Sequence, residues 1–464
     1  MTFIVKMPDG LDYELSGSAT LTPVAVPIPI PTPPPTPVPG LLPILVPDPQ
    51  PYALPEPLRT VRVASQAELA VAIAARRPGD RIVLAAGKYS KIELAYTTNA
   101  GTPDAPLQFV GERGAEVDFV NLVVGPKYVI LAGMNIGAGG VILNNDVHHI
   151  DVVHCNIRSA NKRNGIYITN QTVGGFNFVN NVFEWQGEMT PGVNGAEAAA
   201  AIFFEAQRSP GKNVRIAGNL GSRYHDIFSL GQTLYNPPSE NMTVEHNYLF
   251  DPADDAIEAD GNHHNLRITD NVIGGTEYGM QAGISVAPGG DGPILIARNS
   301  IGGYYRLPVK FNTEIENAYN KGTEVTENIM VPAPNSDIAW YMPGPVAQVA
   351  NLRIHHNTIH ARGAIFVTEQ MQWFSPGQVI PGMVLDGNRL WSLRETHAHL
   401  FRWLDVSTQR NVWMDSIEEL RTKFGWERNG TYAPFEVRAV PIETTPGSGK
   451  FFPIEKLCRF VVAP

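Results

Sequence analysis

The chain has 464 residues, 43% of them hydrophobic, which is enough for a large core and too apolar for a disordered polymer. Its 35 basic and 45 acidic side chains leave a net charge of −10, which excludes a nucleic-acid backbone as the main partner. Cys155 and Cys458 leave room for at most one long-range bridge, the opening residues lack the pattern of a secretion signal, and no apolar run encodes a membrane span.

Residues 1–22 are expected to be a short anchoring peptide that orders on a partner. Fifteen of the 39 prolines then fall between Pro23 and Pro57. Proline has no N–H to give to a helix or sheet, so residues 23–57 are expected to form an extended polyproline-II spacer, rising about 3.1 Å per residue. Next, Ser65 followed by Glu68 forms a capping box that starts a short helix ending at Pro78-Gly79, and a strand-like IVLAAGKY follows. Residues 58–115 are expected to be an N-terminal cap and first coil.

Over residues 116–392 one phrase recurs: alternating apolar residues, an Asn, then another apolar residue. The asparagines are Asn135, Asn156, Asn181, Asn219, Asn247, Asn271, Asn299, Asn328, Asn357 and Asn388, 21 to 38 residues apart. A second alternating phrase, such as GIYIT, AIFFE, DIFSL, AIEAD or GISVA, follows each. Period-two alternation with no helical period between makes each unit two or three short strands, and so one coil of a parallel β-solenoid. Stacked coils bring equivalent residues about 4.8 Å apart, so a buried Asn can bond its counterparts above and below. Propeller blades of four antiparallel strands fit the spacing poorly. Residues 393–464 break the repeat. Within them WMDSIEELRTKFG reads as a helix capped by Asp415 or Ser416, expected to close the far end or to join subunits.

The stretches HNYLFDPADDAIEADGNHHNLRITDNVI and AGISVAPGGDGPILIARNSI resemble right-handed parallel β-helix proteins, a group that includes pectate-lyase-like polysaccharide enzymes and bacteriophage tailspikes. RTVRVASQAELAVAIAARRPGDRIVLAAGKY is similar to the capped entry coil of such proteins, and the resemblance spans residues 60–392. It implies an all-β, single-stranded right-handed parallel β-helix with a capping helix at its N-terminal end.

Aligning the second phrases on their first interior aliphatic puts Tyr167, Phe203, Phe228, Glu258, Ser285, Lys310, Ala339 and Phe366 in one outward column. Thr169, Glu205, Leu230, Asp260, Ala287, Asn312, Tyr341 and Thr368 stand two positions further along. Aromatic platforms beside polar groups suit sugars, which makes Tyr167, Phe203, Glu205, Phe228 and Lys310, with Arg306 at the preceding turn, the expected substrate-binding set. Glu258 and Asp260 lie two residues apart on one strand, with Cα atoms roughly 6.5 to 7 Å apart. That is near the carboxyl separation of inverting glycosidases, about 6.5 to 9.5 Å, and makes them the expected acid and base. Asp254 and Asp255 are the alternates, and crowding of four carboxylates should raise at least one pKa.

The alternative chemistry is elimination. By resemblance to the lyases, calcium on Asp251, Asp254 and Asp255 would neutralise a uronate while Lys310 removes a proton. Calcium is the one cofactor admitted. Of the pairs His148-His149, His263-His264 and His355-His356, the first two stand four coils apart and cannot share a metal, so no other metal site is expected. Insertions after Phe183 and from Leu234 are expected to wall a groove.

The expected function is a bacteriophage spike or fibre protein, carried on the virion, that binds and degrades host surface polysaccharide. Residues 1–22 would attach it to a virion protein, and the resemblance implies a homotrimer. A non-catalytic adhesin and a bacterial polysaccharide lyase are the alternatives.

Overall fold

The computed structural model describes residues 3–6, 12–16, 20–23 and 49–462, apart from 96–99, 161–162, 170–173, 187–198, 206–210, 232–238, 262, 275–281, 287–292, 305–306, 312–321, 333–339, 343–350, 362–365, 369–383, 393–400, 406–409 and 442–457. Arg306, most of both insertions and residues 24–48 of the proline run lie outside the described residues.

The alternating phrases wind into three long sheets of thirteen strands, each coil contributing one strand to each sheet in turn. Sheet one runs from Arg59–Val63 to Val384–Asp386. Sheet two runs from Gly87–Tyr89 to Thr431–Tyr432. Sheet three runs from Ile92–Ala95 to Phe401–Asp405 and is closed by the antiparallel strand Arg410–Met414. The interior is one continuous apolar column from Val63 to Trp426. The chain is a parallel β-helix.

The corner between sheets one and two explains the asparagines. At this corner the residue before each ladder position is left-handed: His154, Asn180, Gly218, His246, Asp270, Arg298, Glu327, His356 and Gly387 all have φ between 52° and 67°. That conformation costs a non-glycine residue roughly 1–2 kcal/mol, and the Asn that follows offsets it. Each ladder Asn from 181 to 357 gives its backbone N–H and its side-chain amide to Oδ1 of the next Asn, at 2.9–3.0 Å. The second amide hydrogen goes to a sheet-one carbonyl, so these buried side chains keep their hydrogen bonds.

Eight of the ten expected asparagines stack this way, from Asn181 to Asn388. Asn135 and Asn156 do not. Asn156 pairs with Val182, and the ladder position in those coils belongs to the buried Met134 and Cys155. Two early coils thus fill the corner with apolar side chains. Cys155 is a free thiol, and burial pushes it up to about 12.

Both ends are capped as the capping boxes predict. Helix α1 (Gln66–Ala74) has Ser65 accepting from the Glu68 N–H, and Glu68 accepting from the Ala64 N–H. Helix α2 (Ile417–Phe424) is capped by Ser416 rather than Asp415 and buries Ile417 and Leu420 against the last coils.

The proline run ends differently from a free spacer. Residues 49–57 lie against the outer face of sheet one and cross five coils. Gln50 exchanges two hydrogen bonds of 2.7 Å with the Asn180 side chain. The Tyr52 hydroxyl donates to Asp151, and the Pro55 carbonyl accepts from Arg81 and Gln108. Tyr52 and Leu54 pack on an outward apolar strip of Val110, Ile130, Ala132, Val153 and Val179. Glycine is required where the strap arrives: Gly218 is left-handed (φ 64°), and a Cβ there would stand 2.9 Å from the Gln50 side chain. Residues 3–6, 12–16 and 20–23, most of them within the segment expected to order on a partner, pair into a small antiparallel sheet of their own.

Candidate active site

Sheet three sets the site. Its backbone pairing aligns Tyr167 with Phe203, Phe203 with Ser229, Ser229 with Glu258, Glu258 with Ser285 and Ser285 with Lys310. The expected outward column is therefore present, with one slip. Phe228 pairs with Ile202 and Ile257, is fully buried, and meets the Phe183 ring edge-on at 6.4 Å. It is a core residue and not a sugar platform. DIFSL puts two apolar residues side by side, and both are buried. Ile227 fits the corner because a Cβ on Gly221 would lie 2.5 Å from it. The turn leaves Ser229 outward and Leu230 inward. The register departs again later: Trp340 and Phe366 align with Val309, so Tyr341, two residues past the expected Ala339, stands beside Lys310, and Val367 takes the place expected for Phe366.

At the N-terminal end of the column Tyr167 stacks on Phe203, with ring centroids 5.8 Å apart and planes 29° from parallel. Thr169 donates its hydroxyl to Glu205, and the Tyr167 hydroxyl joins the same pair. Tyr167, Phe203 and Glu205 thus form a flat apolar surface with a polar edge. Burial raises the Tyr167 phenol above its usual range.

One coil beyond Phe203 the acidic group begins. The Ser229 hydroxyl donates to Glu258 Oε2 at 2.8 Å, and the Ser285 hydroxyl donates to Asp260 Oδ1 at 2.7 Å. Glu258 is half-buried and faces outward, whereas Asp260 is 7% exposed, so the two expected catalytic carboxyls differ sharply in access. Lys310 lies two coils along from Glu258, with its Nζ 4.0 Å from Asp255 Oδ2. Burial alone would lower this amine. Four carboxylates, Asp255 foremost and then Asp260, Asp254 and Glu258, outweigh that and hold it above its usual range.

Burial pushes the Asp255 carboxyl well above the ordinary carboxylate range, and burial together with the neighbouring Asp226 raises that of Asp254. The raised acidity expected from crowding is therefore present, with desolvation as its leading cause.

Sequence spacing did not reveal Asp226 and His225. Their Nδ1 and Oδ2 atoms lie 3.1 Å apart, and with Asp254 they place three ligand atoms within 4.8 Å of one another. Asp226 Oδ1 also accepts the Asp255 N–H, and Asp255 Oδ1 is buried with no hydrogen-bond partner. Such a set fits a divalent cation, and one imidazole among carboxylates suits a borderline ion at least as well as calcium. The calcium set expected from sequence is not assembled, because Asp251 is absent from this group among the described residues. The signal for Asp226 lay in register: it stands where Asp255 stands one coil on, which only the stacking of coils makes visible.

No family model matches the chain, and no curated protein matches it. Solved structures with a similar fold include the pectate lyase Pel9A, at 15% identity and a TM-score of 0.38, over 61% of this chain and 79% of that one. The PL6 family alginate lyase AlyGC shares 13% identity with a TM-score of 0.42, over 86% of this chain and 57% of its own. A mannuronic acid specific family 6 lyase from human gut microbiota shares 13% identity with a TM-score of 0.44, over 81% of this chain and 92% of its own. At such values the likeness concerns the coiled fold alone.

Proposed function

We propose that the chain binds a polysaccharide along sheet three and hydrolyses it, with Asp254 as the acid and Glu258 as the base. One observation carries this: carboxyls in unequal environments stand on the same wall as a stacked aromatic pair, one to three coils away. Burial and the Asp226 charge raise the Asp254 carboxyl above the ordinary carboxylate range, whereas Glu258 faces outward and accepts the Ser229 hydroxyl. Glycosidic hydrolysis needs that division, one group protonating the leaving oxygen while another activates water. Asp260 and Asp255 are too buried to reach a sugar and act as a supporting frame for Lys310.

Elimination is the second reading, favoured by the His225, Asp226 and Asp254 group. A cation held by His225, Asp226 and Asp254 would supply charge neutralisation of a uronate, but the four carboxylates around Lys310 favour its protonated form, which weighs against it as the base.

The proposed setting is a particle-borne spike. The proline-rich composition of the run supports this, since such a sequence favours an extended spacer. Attachment to a virion through residues 1–22 and a homotrimeric assembly belong to the same proposal. Incubation with purified bacterial surface polysaccharide tests the chemistry: new reducing ends without absorbance near 235 nm mean hydrolysis, reducing ends with that absorbance mean elimination, and neither means an adhesin. Glu258→Gln should abolish product formation, and full activity in that variant would remove Glu258 as base.

A further inference from the structure

We infer that the glycan taken by this wall is uncharged along its length, a neutral polysaccharide rather than a polyuronate. This deepens the reading of sheet three as the glycan wall and rests on it.

The outward column gives the reason. Arg402 is the next cation in that register, three coils past Lys310; from Asn121 through Ile142, Tyr167, Phe203, Ser229, Glu258 and Ser285 to Lys310, paired coil by coil, the column holds a single cation. That cation is already engaged, 4.0 Å from Asp255 and surrounded by Asp254, Glu258 and Asp260. Cationic side chains are plentiful elsewhere. On the outer face of sheet one, Lys212, Arg215 and Arg298 are each paired with a carboxylate. Their scarcity on the sheet-three column between Asn121 and Lys310, among the described residues, is therefore a property of this stretch of wall and not of the chain.

A polyuronate carries one carboxylate on every sugar and would need a cation at nearly every coil. Here it would meet one lysine already engaged by the acidic group, so its charge would be desolvated without a cation at each sugar. A neutral sugar meets no such penalty. Its C–H face lies on the Tyr167–Phe203 stack, and its hydroxyls find the half-buried Glu205 and Glu258 carboxyls. Hydrolysis is also the chemistry left to a neutral sugar, which lacks the acidified C5 proton that elimination removes. A divalent ion on His225, Asp226 and Asp254 would reverse the sign at one place only, so the test needs arms with and without metal.

Affinity electrophoresis of the full chain carrying Glu258→Gln, in gels containing dextran, mannan or galactan and in gels containing polygalacturonate or alginate, each with EDTA or with calcium chloride, decides the matter. The expected result is retardation by at least one neutral polymer, unchanged by EDTA, weakened about tenfold by adding Tyr167→Ala, and no retardation by either polyuronate. Retardation by polygalacturonate or alginate that Tyr167→Ala weakens overturns neutrality and leaves the wall standing. Retardation that Tyr167→Ala does not touch, or none in any gel, removes the wall itself and this inference with it.

Discussion

Asn388 donates its backbone N–H and its side-chain amide to the two carboxylate oxygens of Glu427, at 3.2 and 2.6 Å. Every earlier rung of the ladder gives the same two donors to the next asparagine, so the last rung needs an acceptor from outside the repeat. Glu427, fully buried and left-handed (φ 51°), is that acceptor. Glu427→Ala should strand two buried donors and destabilise the C-terminal coils by about 2–4 kcal/mol, read as a lower urea midpoint. Glu427→Gln, which like the protonated acid keeps one acceptor toward Asn388, should cost much less than Glu427→Ala at pH 5–6.

The same carboxyl gives stability a pH dependence. Burial pushes it up to about 7, with Asp386 adding to the rise and Asn388 and Arg421 opposing it. Its native value exceeds its unfolded one, so the folded chain binds the extra proton. The contribution is full below the ordinary glutamate value and is lost as pH rises through 7, by up to about 3 kcal/mol. Urea midpoints measured between pH 5 and 8 should fall in the wild type and stay flatter in Glu427→Gln. Equal slopes would show that Glu427 does not titrate there.

His263 works in the opposite direction. It is 1% exposed, neither ring nitrogen has a hydrogen-bond partner, and burial lowers its value to about 4. The native chain keeps it neutral while the unfolded chain protonates it, so its contribution is present above the ordinary histidine value and is lost as pH falls toward 4. His263→Leu removes both the unpaired polar atoms and this linkage. The variant should match or exceed wild-type stability at pH 7 and resist acid unfolding to lower pH, followed by circular dichroism. Earlier acid unfolding in the variant would mean that the imidazole is satisfied after all.

The winding of the chain was legible in sequence because a ladder repeats one side-chain type where the fold repeats one backbone corner, and Asn181 to Asn388 mark it coil after coil. The misread positions share a cause. In AGMNI and VHCNI the Asn stands one place past the corner, and in DIFSL two apolar residues compete for one inward site, so pattern alone could not choose the face. The His225–Asp226–Asp254 group was hidden for a different reason: it joins residues of adjacent coils through register that depends on loop length. Nothing in a proline run announces that its last residues will lie on a sheet.

That strap has a measurable role. Tyr52 covers the outer valines of sheet one, which would otherwise be exposed apolar surface over several coils. Tyr52→Ala removes the ring and its bond to Asp151, and should cost about 3–4 kcal/mol in the N-terminal coils. Hydrogen exchange should speed up in strands Leu107–Gly111, Lys127–Ala132 and His148–Val153 and remain unchanged past Arg353. Uniform acceleration along the whole solenoid would mean that the strap stabilises no local unit.

Tyr167 and Phe228 make a matched pair for the sugar platform, because sequence placed both on the wall and the structure keeps only one there. Tyr167→Ala removes half of a half-buried, outward-facing stack, so it should raise KM about five- to tenfold, worth about 1–1.4 kcal/mol, and change the urea midpoint far less than Phe228→Ala does. Phe228→Ala empties a site bounded by Phe183, Ile202 and Ile257, so it should cost about 3–5 kcal/mol of stability while KM for whatever remains folded is unchanged. A KM rise in folded Phe228→Ala comparable to that in Tyr167→Ala would show that the ring does reach substrate. The register of the strand Asp226–Ser229 would then need to shift by one residue, exposing Phe228 and burying Ser229, with the Ser229 bond to Glu258 lost.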